Sequence, residues 1–196
     1  MKDKTLGFYS KIYEPLFKKG YTRRSSRATP ALKKWEEFSE QNSICVSSVI
    51  DVGCAWGKTL AYWRKRDVKA IGVDVAPTAI SYCKKKGYKC KLLSATNLYP
   101  FKDNSFDLYM ATDVYEHLRP QDVIVALSEA RRVTRRYFLI RPHPALDKRK
   151  KLHLSVWSLK DWQTVFETNG FNVIPLIDDN TPSYQNVFLL TKGDLI

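Results

Sequence analysis

Three short stretches of the chain carry residue types that bind ligands or move protons. The first is Val49-Ile50-Asp51-Val52-Gly53-Cys54-Ala55-Trp56-Gly57, an apolar run that ends in a turn with two glycines. Glycine on such a turn lets the backbone approach a ligand with no Cβ in the way. A dinucleotide fingerprint needs G-x-G-x-x-G, so that a helix N-terminus can meet a pyrophosphate. Here the spacing is G-x-A-x-G and Lys58-Thr59 follow, so the third glycine is missing. That argues against NAD or FAD and fits a ligand with no phosphate to hold, such as a nucleoside joined to an amino acid. The second stretch ends on Asp74, one strand-helix-strand unit beyond Asp51. A carboxylate there can accept both ribose hydroxyls; it equally suits a cap on the next helix. The third stretch holds Asp113, Glu116 and His117. Histidine titrates near neutrality, which makes His117 the best candidate base; it is as readily a loop residue with no chemical role. Asp113 suits orienting an acceptor or a cofactor amine.

These residues need strands that end together. Apolar runs at Val46–Val52, Ala70–Asp74, Tyr88–Leu93, Phe106–Ala111 and Tyr137–Ile140 read as buried strands. Helical spacing falls between them, over 30–41, 58–66, 77–86, 120–133 and 159–169. Pro77 suits a first turn, and Gly87 and Gly170 suit helix ends. Strand–helix alternation predicts an α/β fold: a Rossmann-like, doubly wound, seven-stranded sheet, mostly parallel, with helices on both faces. Two successive strands near the end, over 171–176 and 186–190, predict a hairpin and so one antiparallel strand. Such sheets bind ligands at the carboxyl ends of their strands, at the switch point beside the first. Residues 1–29 read as a basic and aromatic extension with one or two short helices, and 30–196 as the main domain.

The bulk numbers narrow the class. The chain has 196 residues, 44% of them hydrophobic, enough for one domain with a real core. No apolar run approaches a membrane span, and no secretory signal follows Met1-Lys2-Asp3-Lys4. Cys45, Cys54, Cys83 and Cys90 form no C-x-x-C pair, so a zinc cluster is not expected; reduced thiols and a cytoplasmic location fit. The formal charge is +13, from 33 Lys and Arg against 20 Asp and Glu. Charge of that size attracts polyanions, so nucleic acid is a candidate partner. Basic runs stand at Arg23–Arg27, Arg131–Arg136 and Lys148–Lys151, and each also suits a plain solvated face.

Over residues 30–194 the chain resembles the class I S-adenosylmethionine-dependent methyltransferases, of the type 11-like group. Asp51-Val52-Gly53-Cys54-Ala55-Trp56-Gly57 is similar to the family's D-V-G-C-G-x-G turn, and Gly72-Val73-Asp74-Val75-Ala76-Pro77 to its ribose-binding motif. Leu98–Leu108 resembles the family's L-P-F-x-D-x-S-F-D-L stretch, and Thr112-Asp113-Val114-Tyr115-Glu116-His117-Leu118 its fourth motif. The resemblance implies S-adenosylmethionine as cofactor and S-adenosylhomocysteine as product. It implies a cofactor site built from Asp51, Gly53, Cys54, Ala55, Gly57, Asp74, Val75, Ser94, Ala95, Thr96 and Asp113. Three departures stand out. Ala55 replaces the middle glycine. Ser94 stands where an acidic residue usually touches adenine, leaving Ser94-Ala95-Thr96 to hold it by backbone and hydroxyl. Thr134-Arg135-Arg136 replaces a proline-glycine turn. By the same resemblance the N-terminal segment lies over the cofactor, with Tyr9, Tyr13 and Tyr21 against the ligand. Arg23, Arg24 and Arg27 would then meet an anionic acceptor. The same segment equally fits a surface helix.

The leading expectation is methyl transfer to oxygen or nitrogen of a small molecule, sugar or other non-DNA acceptor, with His117 and Asp113 at the reaction and no metal. The N-P-P-Y-like motif and the Cys-Pro pair of DNA methyltransferases are absent. One alternative is a divalent-metal-dependent RNA 2′-O-methyltransferase. Asp113, Glu116 and His117, with His153 ahead of Trp157-Ser158, resemble the metal set of enzymes acting on small-RNA 3′ ends, and two carboxylates with two imidazoles make a sensible divalent site. Another is a cofactor-binding module without turnover. Trp157 and Trp162 read as core.

Overall fold

The computed structural model describes residues 3–21, 23, 28–143, 152–174 and 186–193. Arg24, Arg27, the Lys148–Lys151 run and the last residues of the expected 171–176 strand lie outside these. Helix α1 spans Lys4–Lys18, capped by Asp3, whose Oδ1 accepts from the Thr5 and Leu6 amides. Where one or two short helices are expected, a single helix runs straight through Pro15. The proline removes one backbone donor. Tyr9, Tyr13 and Phe17, four residues apart on one stripe, are buried and hold the helix in place.

Helix α2 spans Ala28–Gln41, so the expected domain boundary at 29/30 falls inside a helix. Pro30 still lies in its first turn, where a missing N–H costs nothing.

Seven strands follow: β1 Ser48–Val52, β2 Lys69–Asp74, β3 Cys90–Leu92, β4 Phe106–Thr112, β5 Thr134–Arg141, β6 Asn172–Ile174 and β7 Phe188–Thr191. They form one sheet in the order β3-β2-β1-β4-β5-β7-β6. β7 alone runs antiparallel, to β5 on one side and β6 on the other. The chain winds outward from β1 to β3, then returns through β4, so the switch point lies between β1 and β4.

Connecting helices are α3 Lys58–Arg64, α4 Pro77–Lys85, α5 Pro120–Val133 and α6 Leu159–Thr168, with a single 3₁₀ turn at Tyr115–His117. Alternate strand residues feed two cores. Val49, Leu108 and Leu139 pack with Trp35 and Phe38 of α2 and Trp63 of α3. Ile50, Tyr109 and Phe138 pack with Val123 and Leu127 of α5 and Trp162 and Phe166 of α6. α5 passes into β5 with no intervening loop, since Thr134 already has extended dihedrals. That direct junction explains why the family's proline-glycine turn is absent.

Candidate functional site

The glycine turn at the end of β1 places three residues in the left-handed region: Gly53 at φ 78°, Ala55 at φ 45° and Gly57 at φ 72°. The two glycines do different work. A methyl group on Gly53 would run into the Val114 side chain, so this glycine permits close approach between the turn and the segment after β4. A methyl on Gly57 would meet Cys83 Sγ and the Tyr88 ring at 3.0 Å; Gly57 serves packing against α4 and does not line the cavity. Ala55 adopts a conformation that L-residues disfavour. Its amide donates to Asp74 Oδ2 at 2.9 Å, which holds it there.

Asp74 therefore braces the turn as well as facing the ligand space. Its Oδ1 accepts from the Ala76 amide at 2.9 Å, just ahead of α4, whose N-cap Ala76 has no side-chain cap, and the carboxylate lines the cavity. Each carboxylate oxygen has a second lone pair for a ribose hydroxyl. Burial pushes the Asp74 carboxyl up to about 6, against the opposing amides of Ala76, Ala55 and Val75. Asp51 lies beneath the turn and does not line the cavity. Burial, then the charge of Asp74, push it up to about 7, with the Thr59 hydroxyl opposing, and its Oδ2 has no hydrogen-bond partner.

Above the carboxyl ends of β1, β2 and β4 lies a cavity of about 300 Å³. Gly53, Cys54 and Ala55 line it from the first turn, Asp74 and Val75 from the second, and Ser94 and Ala95 from the third. Thr96 stands just outside; its hydroxyl lies 2.8 Å from that of Ser94. Tyr9, Tyr13 and Phe17 of α1, with Tyr21 just after it, cover one side of the cavity. Polar latches hold α1 down. Glu14 accepts from the Thr78 amide and hydroxyl at 2.9 and 2.6 Å, and the Tyr9 hydroxyl donates to Asp122 at 2.5 Å.

Away from the glycine turn the cavity is lined by Asp113, Glu116, His117, His143 and His153. The chain has three histidines, and all of them face this space. His117 Nδ1 lies 3.0 Å from the Leu152 carbonyl, which can only accept, so Nδ1 carries the proton and Nε2 the lone pair. That Nε2 is 3.9 Å from Glu116 Oε1. Glu116 is 1% exposed; neither carboxylate oxygen makes a well-aligned hydrogen bond, and only the nearby amides of Glu116 itself and His143, with the Arg141 charge, favour its ionised form. Burial, then the charge of Asp113, push its carboxyl up to about 8.

Ligand-type atoms of Glu116, His117 and His153 all lie within 4.8 Å of one another. Asp113, expected as a fourth member, stands apart: it adopts φ 54° and is ion-paired with Arg141. His143 lies beside the group, 5.1 Å ring to ring from His153, without joining it. His143 was legible only as one of three histidines; it has no motif spacing to the others.

A family model described as "Methyltransferase domain" matches residues 50–137, which include the turn, Asp74 and the Asp113–His117 segment. Over that stretch the chain is similar to the methyltransferase-domain family, and its fold is that of solved S-adenosylmethionine-dependent methyltransferases. Solved structures share the whole architecture. A 1,6-didemethyltoxoflavin-N1-methyltransferase from Burkholderia thailandensis superposes at TM-score 0.71 with 13% identity, over 99% of this chain and 93% of that one. Magnesium protoporphyrin IX methyltransferase from Synechocystis PCC 6803 gives 0.71 at 12% identity, over 98% and 99%. A S-adenosylmethionine-dependent methyltransferase from Archaeoglobus fulgidus gives 0.67 at 19%, over 92% and 100%. No curated protein matches at the sequence level.

Trp162 is fully buried and packs on half-buried Trp157, with ring centroids 4.6 Å apart; neither lines the cavity. Arg23 is exposed and lies 5.7 Å from the Trp56 ring and 5.9 Å from that of Tyr82, on the outside of the turn. No described helix is long and apolar enough to cross a membrane.

Proposed function

We propose that this protein moves a methyl group from S-adenosylmethionine to oxygen or nitrogen of a small acceptor held under α1. The observation that carries the reading is the half-open cavity under α1, with Asp74 among its walls and, in the neutral His117 imidazole, a lone pair on Nε2. When bound, the cofactor supplies an electrophilic methyl on a sulfonium and departs as S-adenosylhomocysteine. Asp74 accepts the ribose hydroxyls on its spare lone pairs. The unsatisfied Asp51 Oδ2, under the same turn, favours a nearby ammonium. Ser94 and Ala95 border the adenine. Tyr9, Tyr13 and Phe17 exclude water and fix the acceptor, which is most of what an in-line displacement needs. His117 Nε2 takes the acceptor's proton.

Asp74, Asp113 and Glu116 face the cavity, with Lys58 as the one lysine or arginine among the described lining residues; Arg141 offsets Asp113 and burial raises the Glu116 carboxyl to about 8, so the lining alone sets no charge on the acceptor. Four free cysteines suit a reducing compartment, and so the cytoplasm.

Calorimetry with S-adenosylmethionine and S-adenosylhomocysteine tests the cofactor, and lack of binding at millimolar ligand would end the proposal. Methyl transfer to a panel of amines and alcohols tests the acceptor. Tight cofactor binding with no turnover on any of them would favour a binding module.

The convergence of Glu116, His117 and His153 favours a second reading, in which the same pocket holds a divalent cation. A buried carboxylate with no well-aligned hydrogen bond beside two imidazoles fits such an ion, and the ion would activate an acceptor hydroxyl, as an RNA 2′-hydroxyl requires. Turnover indifferent to chelator, and to His153→Ala, would remove this reading.

A further inference from the structure

Ten lysines and arginines stand between residues 58 and 91, against two acidic residues, one of them the buried Asp74. The fold collects most of these cations at one place. Arg64, Lys65 and Arg66 end α3, and Lys84, Lys85 and Lys86 end α4. Lys69 opens β2, and Lys89 precedes β3. All eight are exposed. They sit at the amino ends of the strands, at the far ends of α3 and α4, which run back from the cavity rim by roughly 10–14 Å at about 1.5 Å per residue.

The two helix ends are side by side. Arg64 donates to the Lys86 carbonyl at 3.2 Å and lies over the Tyr88 ring at 4.6 Å. Arg66 covers the Tyr62 ring at 3.6 Å, and Lys86 stands 5.8 Å from that of Tyr82.

Helix dipoles account for a cation or two in each last turn, and solubility for scattered ones. Neither explains eight together with so little compensation. The other basic cluster at this end of the sheet shows what compensation looks like. Arg132 pairs with Glu129 and Asp103, and Arg135 with Asp107. In the α3–α4 cluster, among the described residues, Arg66 alone has a carboxylate partner, Glu36.

We propose that this α3–α4 end is a docking surface for a nucleic-acid strand, bound chiefly through its phosphates. Uncompensated lysines interleaved with tyrosine rings suit a single strand, which offers a polyanionic backbone and stacking faces. A membrane surface fits less well. Peripheral membrane binding uses apolar side chains beside the basic ones, and none of the exposed large hydrophobic residues falls between 58 and 89. A protein partner fits less well again, because lysine is depleted from the cores of protein interfaces. The surface works independently of the methyl-transfer reading. It would hold the protein on a nucleic acid while the cavity at the opposite end stays clear.

The test is fluorescence anisotropy of the full chain with a labelled 20-nucleotide oligo(U), across a salt series. The charge-reversal variant K84E/K85E/K86E should bind at least tenfold more weakly at low salt. Its slope of log affinity on log salt should be shallower by about 2, since each single-strand phosphate contact contributes about 0.7. K148E/R149E/K150E removes equal charge elsewhere and should bind nearly as the parent does. S-adenosylhomocysteine affinity within twofold of the parent shows that both variants are folded, and K69E/K89E, on the strand entries, provides a second variant at the same surface. Equal losses in the 84–86 and 148–150 variants would make the effect one of net charge and overturn the proposal. So would no binding to oligo(U), or tighter binding to phosphatidylserine-containing vesicles than to RNA.

Discussion

The two ends of the sheet are built from opposite charge. At the carboxyl ends of the strands, Asp74, Asp113 and Glu116 face a half-open cavity with three imidazoles. At the amino ends of β2 and β3, lysines and arginines stand in water with few partners. Both ends belong to one chain of net charge +13, so bulk charge describes neither. The cavity end uses its groups one by one, each with a defined hydrogen bond or a defined lack of one. The open end uses charge collectively, where a single residue matters little. Substitutions at the first should therefore have large, specific effects, and those at the second small, additive ones.

The largest effect should come from His117. If its Nε2 is the base, His117→Ala lowers kcat by about 10²- to 10⁴-fold while S-adenosylhomocysteine affinity stays within a few-fold. Loss of affinity equal to loss of rate would make His117 a structural residue. Next is Asp74→Ala. It removes the side-chain acceptor of the Ala55 and Ala76 amides as well as the proposed ribose contact, and hydrogen bonds to charged groups contribute about 1.5–3 kcal/mol each. Calorimetry should show cofactor affinity reduced by at least tenfold; unchanged affinity would place the ribose elsewhere.

Gly53→Ala should lower folding stability by about 1–3 kcal/mol in denaturant titration, because the new methyl meets Val114 in a left-handed conformation. Stability equal to the parent would mean that the turn yields easily.

A subtler effect concerns pH. Asp51 and Asp74 are held above the ordinary carboxylate range, to about 7 and about 6. The folded state then binds more protons than the unfolded one, so these groups favour folding below about pH 4 and lose that contribution as pH rises through about 7. The melting temperature of the ligand-free protein should fall across that window. Asp51→Asn should flatten the fall and weaken cofactor binding. A slope unaltered by Asp51→Asn would show that Asp51 is not held protonated. The smallest effect belongs to the far end: K84E/K85E/K86E should leave cofactor affinity within twofold, and a larger change would couple the two ends.

Much of this was legible in the order of residues. The apolar runs, the glycine turn and Asp74 foretell the sheet, its direction and its ligand edge, because strand burial and turn geometry are local constraints. His117 was found through its motif. The role of Gly57 was not legible, since only the approach of Cys83 and Tyr88 shows that it serves packing. Asp113 was assigned to the reacting centre, and its pairing with Arg141, 28 residues away, could not be read from either neighbourhood.

The sequence by itself determined the mostly parallel sheet, the glycine turn after its first strand and the excess of positive charge. The tertiary structure alone decided that three histidines from separate segments share one cavity and that Asp74 braces Ala55. It also decided which basic run is neutralised and which is left bare. The physical reason is range. Periodicity and turn chemistry act between neighbours, whereas convergence, burial and charge pairing depend on which distant segments the sheet brings within a few ångströms.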